Sequence, residues 1–300
     1  MDTDYRFGID LGGTKIEGVV LDKSGKVHTR NRIATERSKG YEHILERIAL
    51  MIATLEQSVG QTAETVGVGT PGAKDPDTGL MKNCNTTVLN DKPLNSDLSK
   101  RTGKIIQLAN DANCFAVAET QLGVIKDQVP NAKVVFGIIM GTGVGGGLVI
   151  DGKPWAGRQG IGGEWGHSFL DQSGGQCYCG KIGCTETIIS GPALERYYNS
   201  RSGKNLSLKE IVTQYRQNDN PHARATINRL FRFFGKGVAN IINTIDPDAI
   251  VIGGGLGQID ELYTSGVEQI QKHLFNPKLS TPILRPTLGD SAGVFGAAML

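Results

Sequence analysis

Three cysteines lie close together in the stretch CYCGKIGC, at Cys177, Cys179 and Cys184. Thiolates at this spacing are typical zinc ligands, and Gly180 and Gly183 permit the tight turns that a tetrahedral site demands. A tetrahedral site needs a fourth ligand, which the stretch does not supply. The cluster therefore predicts a metal site, and reduced, metal-free thiols are the alternative.

Two glycine-rich turns point to phosphate chemistry: DLGGTK at residues 10–15 and GTGVGGG at residues 141–147. The second contains G-x-G-x-x-G, but a dinucleotide-binding turn leads into a helix, whereas this one leads into the strand-like LVIDG. We therefore do not expect a dehydrogenase. Backbone amides in such turns can approach phosphate oxygens closely, because glycine has no Cβ. Two facing turns could hold one triphosphate, although each alone is also compatible with a plain hairpin.

Two aspartates lie where a carboxylate could take part in phosphoryl transfer. Asp111, in NDAN, lies at a predicted helix start, where the dipole keeps a general base ionised. A helix cap is the other common role of Asp at such a position. Asp10 follows the first predicted strand and could hold Mg²⁺ beside a phosphate, or simply form part of the turn.

Hydrophobic periodicity predicts the elements that position these residues. Residues 5–34 predict three short strands with no helix between them, and an amphipathic helix follows from residue 41. From residue 134 the pattern of strand, glycine turn and strand returns. A long helix is expected from about residue 222 to 245, followed by a buried strand that ends in the glycines of VIGGG. The repeat predicts two similar domains.

Composition limits the classes of function. A length of 300 residues favours two domains, and a net charge of +2 gives no basic excess for nucleic acid. The sequence has neither a basic leader with a long apolar core nor an apolar run long enough for a membrane span. We expect a cytoplasmic protein with no membrane partner.

Six motifs in order carry a family resemblance that covers essentially the whole chain: DLGGTK, NDAN, GTGVGGG, GGEWGH, CYCGKIGCTE and VIGGG. Together they resemble the ROK sugar kinases, within the superfamily of actin, hexokinase and the heat-shock ATPases. The resemblance implies a duplicated α/β fold of the actin-like ATPase (ribonuclease H-like) type, with an interdomain cleft and a homodimeric assembly. The domains expected are residues 1–110 with 289–300, and residues 111–288 with the zinc loop.

The resemblance also implies roles for individual residues, with ATP, Mg²⁺ and a structural Zn²⁺ as cofactors. Asp111 becomes the general base, Asp10 the magnesium ligand, and His167 the fourth zinc ligand beside Cys177, Cys179 and Cys184. The ATP and phosphate contacts expected are Gly12, Gly13, Thr14, Lys15, Gly141, Thr142, Gly143, Gly254 and Gly255. The sugar contacts expected are Asn85, Asn110, Asp111, Glu164, His167 and Glu186. One imidazole nitrogen of His167 would bind zinc while the other hydrogen-bonds the sugar.

The sugar is predicted from the segment KNCNTTVLNDKPL around Asn85, which resembles the fructokinases and mannokinases of the family. We therefore expect fructose or mannose, phosphorylated at C6. The alternative is N-acetylglucosamine or N-acetylmannosamine, because NDANCF and GTGVGGGL also resemble bacterial N-acetylglucosamine kinases. A non-catalytic sugar-sensing regulator is the alternative from another class. Family repressors carry a helix-turn-helix domain first, and with a strand predicted at about residue 5 we expect none here.

Overall fold

The computed structural model describes residues 5–300, which form two compact units. The first unit comprises Met1–Asn131, Gly147–Gly163 and Thr287–Leu300, and the second comprises Ala132–Gly146 and Glu164–Pro286. Residues 1–4, which begin the first predicted domain, lie outside the described residues. The predicted domain boundaries remain a prediction.

The secondary structure is a mixture of strands and helices along the whole chain. The strands are β1 Arg6–Leu11, β2 Lys15–Leu21, β3 Val27–Ala34, β4 Thr65–Thr70, β5 Ala73–Lys74, β6 Met81–Lys82, β7 Ile105–Asn110, β8 Val134–Met140, β9 Val144–Ile150, β10 Lys153–Pro154, β11 Ala249–Gly253 and β12 Ile283–Leu284. The helices are α1 Tyr41–Val59, α2 Leu94–Thr102, α3 Asp111–Gln121, α4 Val124–Gln128, α5 Glu186–Ile189, α6 Gly191–Ser202, α7 Leu208–Gln217, α8 Pro221–Ile245, α9 Ser265–Gln271 and α10 Ala292–Ala298.

Two five-stranded sheets share one plan. Their strand orders are β3-β2-β1-β4-β7 and β10-β9-β8-β11-β12. In the first sheet β1 pairs antiparallel with β2 and parallel with β4, which pairs parallel with β7. In the second sheet β8 pairs parallel with β11, and β11 with β12. The predicted α/β fold with an internal repeat is confirmed.

The predicted elements are also confirmed one by one. The three opening strands, the helix after residue 41 and the long helix α8 lie where hydrophobic periodicity placed them. The glycines of GTGVGGG lead into strand β9 and not into a helix, which removes the structural basis of a dinucleotide-binding turn.

The first sheet is covered by α1 and by the C-terminal helix α10. The buried face of α1 consists of Ile44, Leu45, Ile48, Met51, Ile52 and Leu55. Glycines let α10 approach the sheet and α3 closely: a Cβ on Gly67 of β4 would lie 1.7 Å from the backbone oxygen of Ala297, and one on Gly296 would lie 1.7 Å from that of Cys114. The last turns of the chain are therefore packed backbone to backbone within the first unit.

The fully buried Glu119 of α3 fixes the segment that leads into α10. Its carboxylate accepts hydrogen bonds from the backbone N–H groups of Val124, Thr287 and Leu288, at distances of 3.0 to 3.2 Å. Three amide donors satisfy a buried charge that would otherwise be costly. Glu119 thus joins α3 to the start of the last segment of the first unit.

None of the helices in residues 5–300 is both long enough and apolar enough to cross a bilayer.

Because β4 and α10 are in close contact, adding one methyl group at Gly67 should strongly destabilise the protein. The substitution Gly67→Ala should lower the free energy of unfolding by about 2–4 kcal/mol, because the added Cβ meets a backbone oxygen and α10 must move. Urea unfolding would measure the change. Gly255→Ala is the matched control, since nothing lies within 4 Å of its Cβ position. Equal stability of the two variants would contradict the close packing.

Candidate functional site

The predicted residues of the first unit gather at the carboxyl ends of its parallel strands. Asp10 lies near the end of β1, and Asn110 ends β7. The strand between them, β4, carries Gly69 in register with Asp10, and the Cβ position of Gly69 lies at van der Waals distance, 3.5 Å, from Asp10 Oδ1. Parallel pairing brings carboxyl ends to one edge, where α/β sheets bind their ligands.

Asp111 is the first residue of α3, and Asn110 is the residue that caps this helix. Asn110 Oδ1 accepts the backbone N–H of Ala112 at 2.9 Å, and Asp111 Oδ1 shares the same donor at 2.7 Å. Asp111 is exposed to solvent. The capping role that competed with general base is therefore carried by Asn110, which leaves the second carboxylate oxygen of Asp111 available.

The carboxyl of Asp111 is surrounded by protein at longer range, and this desolvation raises its pKa above the usual range. The hydrogen bond from the N–H of Ala112 acts in the opposite direction. Desolvation is the larger influence, so the pKa of Asp111 is raised, and a base with a raised pKa holds a transferred proton more firmly than a fully solvated aspartate does.

Burial raises the pKa of Asp10 to about 6, and the carboxylates of Asp111 and Glu17 add to this shift. Lys15 acts against it. Within residues 5–300 the Asp10 carboxylate accepts no hydrogen bond. An unpartnered carboxylate among like charges is a suitable ligand for a divalent cation, so the residues present fit the predicted magnesium.

Glu17, which lies opposite Asp10 in the β1–β2 register, was not predicted as part of the site. Burial alone would raise its pKa, but hydrogen bonds from Arg32 and Arg30 on β3 lower it. Arg32 Nε lies 2.7 Å from Glu17 Oε2, and Lys15 Nζ lies 3.6 Å from the same oxygen. A glutamate at a buried position of β2, facing alternating arginines on β3, was the available sequence signal.

The first glycine turn joins β1 to β2. The N–H of Gly12 bonds to the carbonyl of Lys15 at 3.0 Å, while Thr14 and Lys15 are exposed to solvent. Asn85 is also exposed and lies in the segment between β6 and α2. These residues are accessible to a ligand, and their assignment as phosphate and sugar contacts remains a prediction.

The predicted residues of the second unit gather around the turn 141–143. The carbonyl oxygen of Gly141 accepts a hydrogen bond from the N–H of Gly191 at 2.9 Å. A Cβ on Gly141 would lie 4.0 Å from the amide nitrogen of Gly255. Gly254 has φ +80°, and a Cβ there would lie 2.3 Å from the oxygen of Met140. The second glycine turn and the end of β11 are therefore adjacent, with Thr142 and both glycines 254 and 255 exposed.

Glu186 joins this turn to the cysteine cluster. Its Oε2 accepts the N–H of Val144 at 3.0 Å, at the start of β9. Glu186 lies two residues after Cys184, and Trp165, beside Glu164, donates its indole N–H to the carbonyl of Gly145 at 2.8 Å. Two of the predicted sugar contacts, Glu164 and Glu186, are thus held in segments anchored to β9.

The four predicted zinc ligands come together. One ligand atom from each of His167, Cys177, Cys179 and Cys184 lies within 4.8 Å of all the others. Cys177 Sγ is 3.6 Å from His167 Nδ1, and Cys179 Sγ is 3.6 Å from Cys184 Sγ. Zinc–sulfur bonds of about 2.3 Å give tetrahedral edges of about 3.8 Å, so the cluster fits a zinc ion.

The local backbone explains how eight residues supply three ligands. Gly180 and Gly183 have φ of +87° and +77°, the left-handed region that glycine adopts without strain, as the sequence predicted. The pKa of Cys179 is lowered to about 7, chiefly by a hydrogen bond from the N–H of Lys181, whereas burial raises that of Cys184 to about 12. A bound cation would take both sulfurs as thiolates and displace their protons.

His167 uses both ring nitrogens within the second unit. Nδ1 faces Cys177, and Nε2 lies 3.0 Å from the hydroxyl of Tyr178. The ring nitrogen that does not face the cysteines was expected to hydrogen-bond the sugar, and in the structure it contacts Tyr178, which was not among the predicted site residues. An aromatic residue between two cysteines gives no signal of this contact in the sequence.

Comparisons with known proteins identify the family of the chain. The family model described as "ROK family" matches residues 6–300. A relative named N-acetyl-D-glucosamine kinase, from Salmonella paratyphi B, is 34% identical, with 98% of each chain covered. The crystal structure of a ROK hexokinase from Thermus thermophilus has a TM-score of 0.88 at 32% identity, covering 98% of this chain and 97% of that one. A ROK glucokinase from Streptomyces griseus, in complex with glucose and AMPPNP, has a TM-score of 0.77 at 30% identity, with 98% of each chain covered.

The raised pKa of Asp10 predicts that replacing this residue with a neutral one stabilises the protein, by an amount that depends on pH. A folded-state pKa of about 6, above the unfolded value of 3.8, means that ionisation destabilises the fold fully above pH 6, and less as the pH falls toward 4. Asp10→Asn should therefore raise the free energy of unfolding by about 1–2 kcal/mol at pH 8 in magnesium-free buffer.

The same substitution should give about half that gain at pH 5, where ionisation of the native carboxyl is already suppressed. Thermal unfolding at both pH values measures the difference. A loss of stability, or an identical gain at both pH values, would show that Asp10 is not held in this environment.

Removal of metal from the cysteine cluster should lower heat stability and sugar affinity together, because Glu186 follows the cluster directly and is anchored to β9. Chelation, metal analysis, thermal unfolding and sugar binding on the same sample would measure this. Full activity with no bound metal would refute the prediction. Cys84→Ser, at a buried cysteine outside the cluster, is the control for a general effect of losing a thiol.

Proposed function

The chain belongs to the ROK family of sugar kinases, and from that premise we propose that it transfers the γ-phosphoryl group of ATP to a hydroxyl of N-acetyl-D-glucosamine. The observation that carries the proposal is the similarity, over 98% of both chains, to a relative named N-acetyl-D-glucosamine kinase. The fructose or mannose preference expected from the Asn85 segment has no support from the relatives described above. The alternative stated in the sequence analysis is therefore the better supported substrate.

Glucose is the second candidate substrate. The two solved structures described above are called a hexokinase and a glucokinase, the latter in complex with glucose, at 32% and 30% identity. Glucose and N-acetylglucosamine differ only in the group at C2, so one polar pocket could accept both with different affinities.

The proposed reaction uses Asp111 as the general base. The sugar hydroxyl oxygen attacks the γ-phosphorus, the bond from that phosphorus to the β–γ bridging oxygen breaks, and ADP leaves. Asp111 accepts the hydroxyl proton, for which its raised pKa and its free carboxylate oxygen suit it. Asn110, rigidly held as the cap of α3, is proposed to contact the sugar beside it.

The phosphate contacts are proposed to come from the two glycine turns. Gly13 and Thr14 would offer a backbone amide and a hydroxyl in the first unit, and Thr142 and Gly143 would do so in the second. Gly12 and Gly141 would approach the phosphates without donating, because their N–H groups bond to the carbonyls of Lys15 and Gly143. Lys15, although paired with Glu17, is exposed at the end of its side chain and could reach a phosphate oxygen. Gly254 and Gly255 are proposed to border the adenosine.

Two cations complete the proposal. Asp10 would hold Mg²⁺, which neutralises phosphate charge when bound. His167, Cys177, Cys179 and Cys184 would hold a structural Zn²⁺, with four protein ligands and no open position for chemistry. At the zinc site the protein would hold Glu186 and the segment from Glu164 to His167 in the positions proposed for sugar contact.

The test is ADP release from Mg·ATP with N-acetylglucosamine, N-acetylmannosamine, glucose, mannose and fructose. The expected result is the highest kcat/KM with N-acetylglucosamine. A clear preference for glucose would favour the second candidate, and one for fructose or mannose would restore the interpretation of the Asn85 segment. No turnover from folded, zinc-loaded protein would contradict the kinase assignment and favour a sugar sensor.

Asp111→Asn is the control variant for this assay. It removes the proton acceptor but keeps the size of the side chain, and kcat should fall by about 10²- to 10⁴-fold with sugar binding retained. Retained turnover would show that another group takes the proton.

A further inference from the structure

Tyr178 has an unusual environment for an exposed aromatic residue. Tyr178 exposes 82% of its surface to solvent, yet its side chain makes two contacts with one neighbouring residue, His167. The hydroxyl lies 3.0 Å from Nε2 of His167, and the two rings meet edge to face with centroids 5.1 Å apart. An exposed tyrosine normally samples several rotamers, so these contacts give the phenol a defined direction.

The contact with His167 determines the direction of hydrogen bonding. Nδ1 faces the sulfur of Cys177, on the side of the metal ligands. A neutral imidazole that offers Nδ1 as a ligand carries its proton on Nε2, so Nε2–H donates to the oxygen of Tyr178. The hydroxyl hydrogen of Tyr178 is then free to donate to a further acceptor.

Tyr178 also lines a cavity that contains predicted substrate contacts. The cavity has a volume of about 450 Å³, and its walls include Tyr178, Glu186, Thr142 and Arg196. Glu186 is a proposed sugar contact and Thr142 a proposed phosphate contact. The oriented phenol therefore lines the same cavity as one proposed sugar contact and one proposed phosphate contact.

We propose that Tyr178 is a sugar-contacting, specificity-determining residue, whose hydroxyl, oriented by His167, donates a hydrogen bond to an oxygen of the substrate sugar. The phenol then lies between His167 Nε2 and the sugar, and this contact takes the place of the direct His167 contact named under the proposed function. The ring adds a flat apolar surface against which the C–H face of a pyranose can pack. This inference rests on the proposed function, because it takes the cavity beside Glu186 as part of the sugar site.

The test compares Tyr178→Phe with Tyr215→Phe in the full-length, zinc-loaded protein. The first change removes only the hydroxyl that contacts His167. Tyr215 packs edge to face on Phe231 and does not line the cavity, so its variant controls for the loss of a phenol oxygen. The readouts are sugar Kd by calorimetry without nucleotide, KM and kcat for sugar and for ATP, bound zinc and the melting temperature.

Loss of one neutral hydrogen bond should raise the sugar Kd and KM of Tyr178→Phe by about threefold to tenfold. The kcat, the KM for ATP, the zinc content and the melting temperature should remain those of Tyr215→Phe. The ratio of kcat/KM between N-acetylglucosamine and glucose should also change. A merely structural role of Tyr178 would instead change zinc content or melting temperature.

Two results would overturn the inference while leaving the proposed function intact. An unchanged sugar Kd in Tyr178→Phe would show that the hydroxyl does not contact the sugar. A tighter Kd would show that Tyr178 obstructs His167, which then meets the sugar directly. Wild-type protein that binds none of the five sugars would overturn the proposed function, and the inference with it.

Discussion

Parallel pairing of β1 with β4, and of β4 with β7, is the constraint on which the catalytic half of the site depends. Strands that run in the same direction end at the same edge, so residues 100 positions apart in sequence, Asp10 and Asn110, end near one another. Gly69, the residue of β4 in register with Asp10, lies beside this carboxylate at the same edge. The same pairing of β8 with β11 brings the second glycine turn beside Gly255.

The carboxylates at this edge of the first sheet differ in whether positively charged side chains neutralise them. Glu17 is neutralised by Arg30 and Arg32, so its negative charge costs little. Asp10 and Asp111 lack such partners, and both have raised pKa values. Unpaired carboxylates cost stability in the absence of ligand, a cost that is common at sites built to meet a cation or to accept a proton.

The sequence was sufficient for most of the fold. Alternating apolar residues broken by glycine pairs predict hairpins because the alternation has the period of a strand, and the return of that pattern after residue 134 predicts the second sheet. The clustering of His167 with Cys177, Cys179 and Cys184 was predictable from thiol spacing and family resemblance. Contacts that depend on side-chain rotamers were not: nothing in the sequence near Tyr178 indicates that its hydroxyl meets His167. The buried pairing of Glu17 with Arg30 and Arg32 needed the β2–β3 register. The sugar preference expected from the Asn85 segment stays a prediction, and the relatives give better support to N-acetylglucosamine, the stated alternative.

The position of α10 has a consequence for how the protein forms during synthesis. The first unit needs residues 287–300, which Glu119 and the glycines at 67 and 296 hold against α3 and the first sheet. The second unit uses only residues 132–286. Domains usually fold in the order in which they leave the ribosome. Here the first unit must wait until residues 287–300 have been made, so the unit whose synthesis begins first is completed after the second unit.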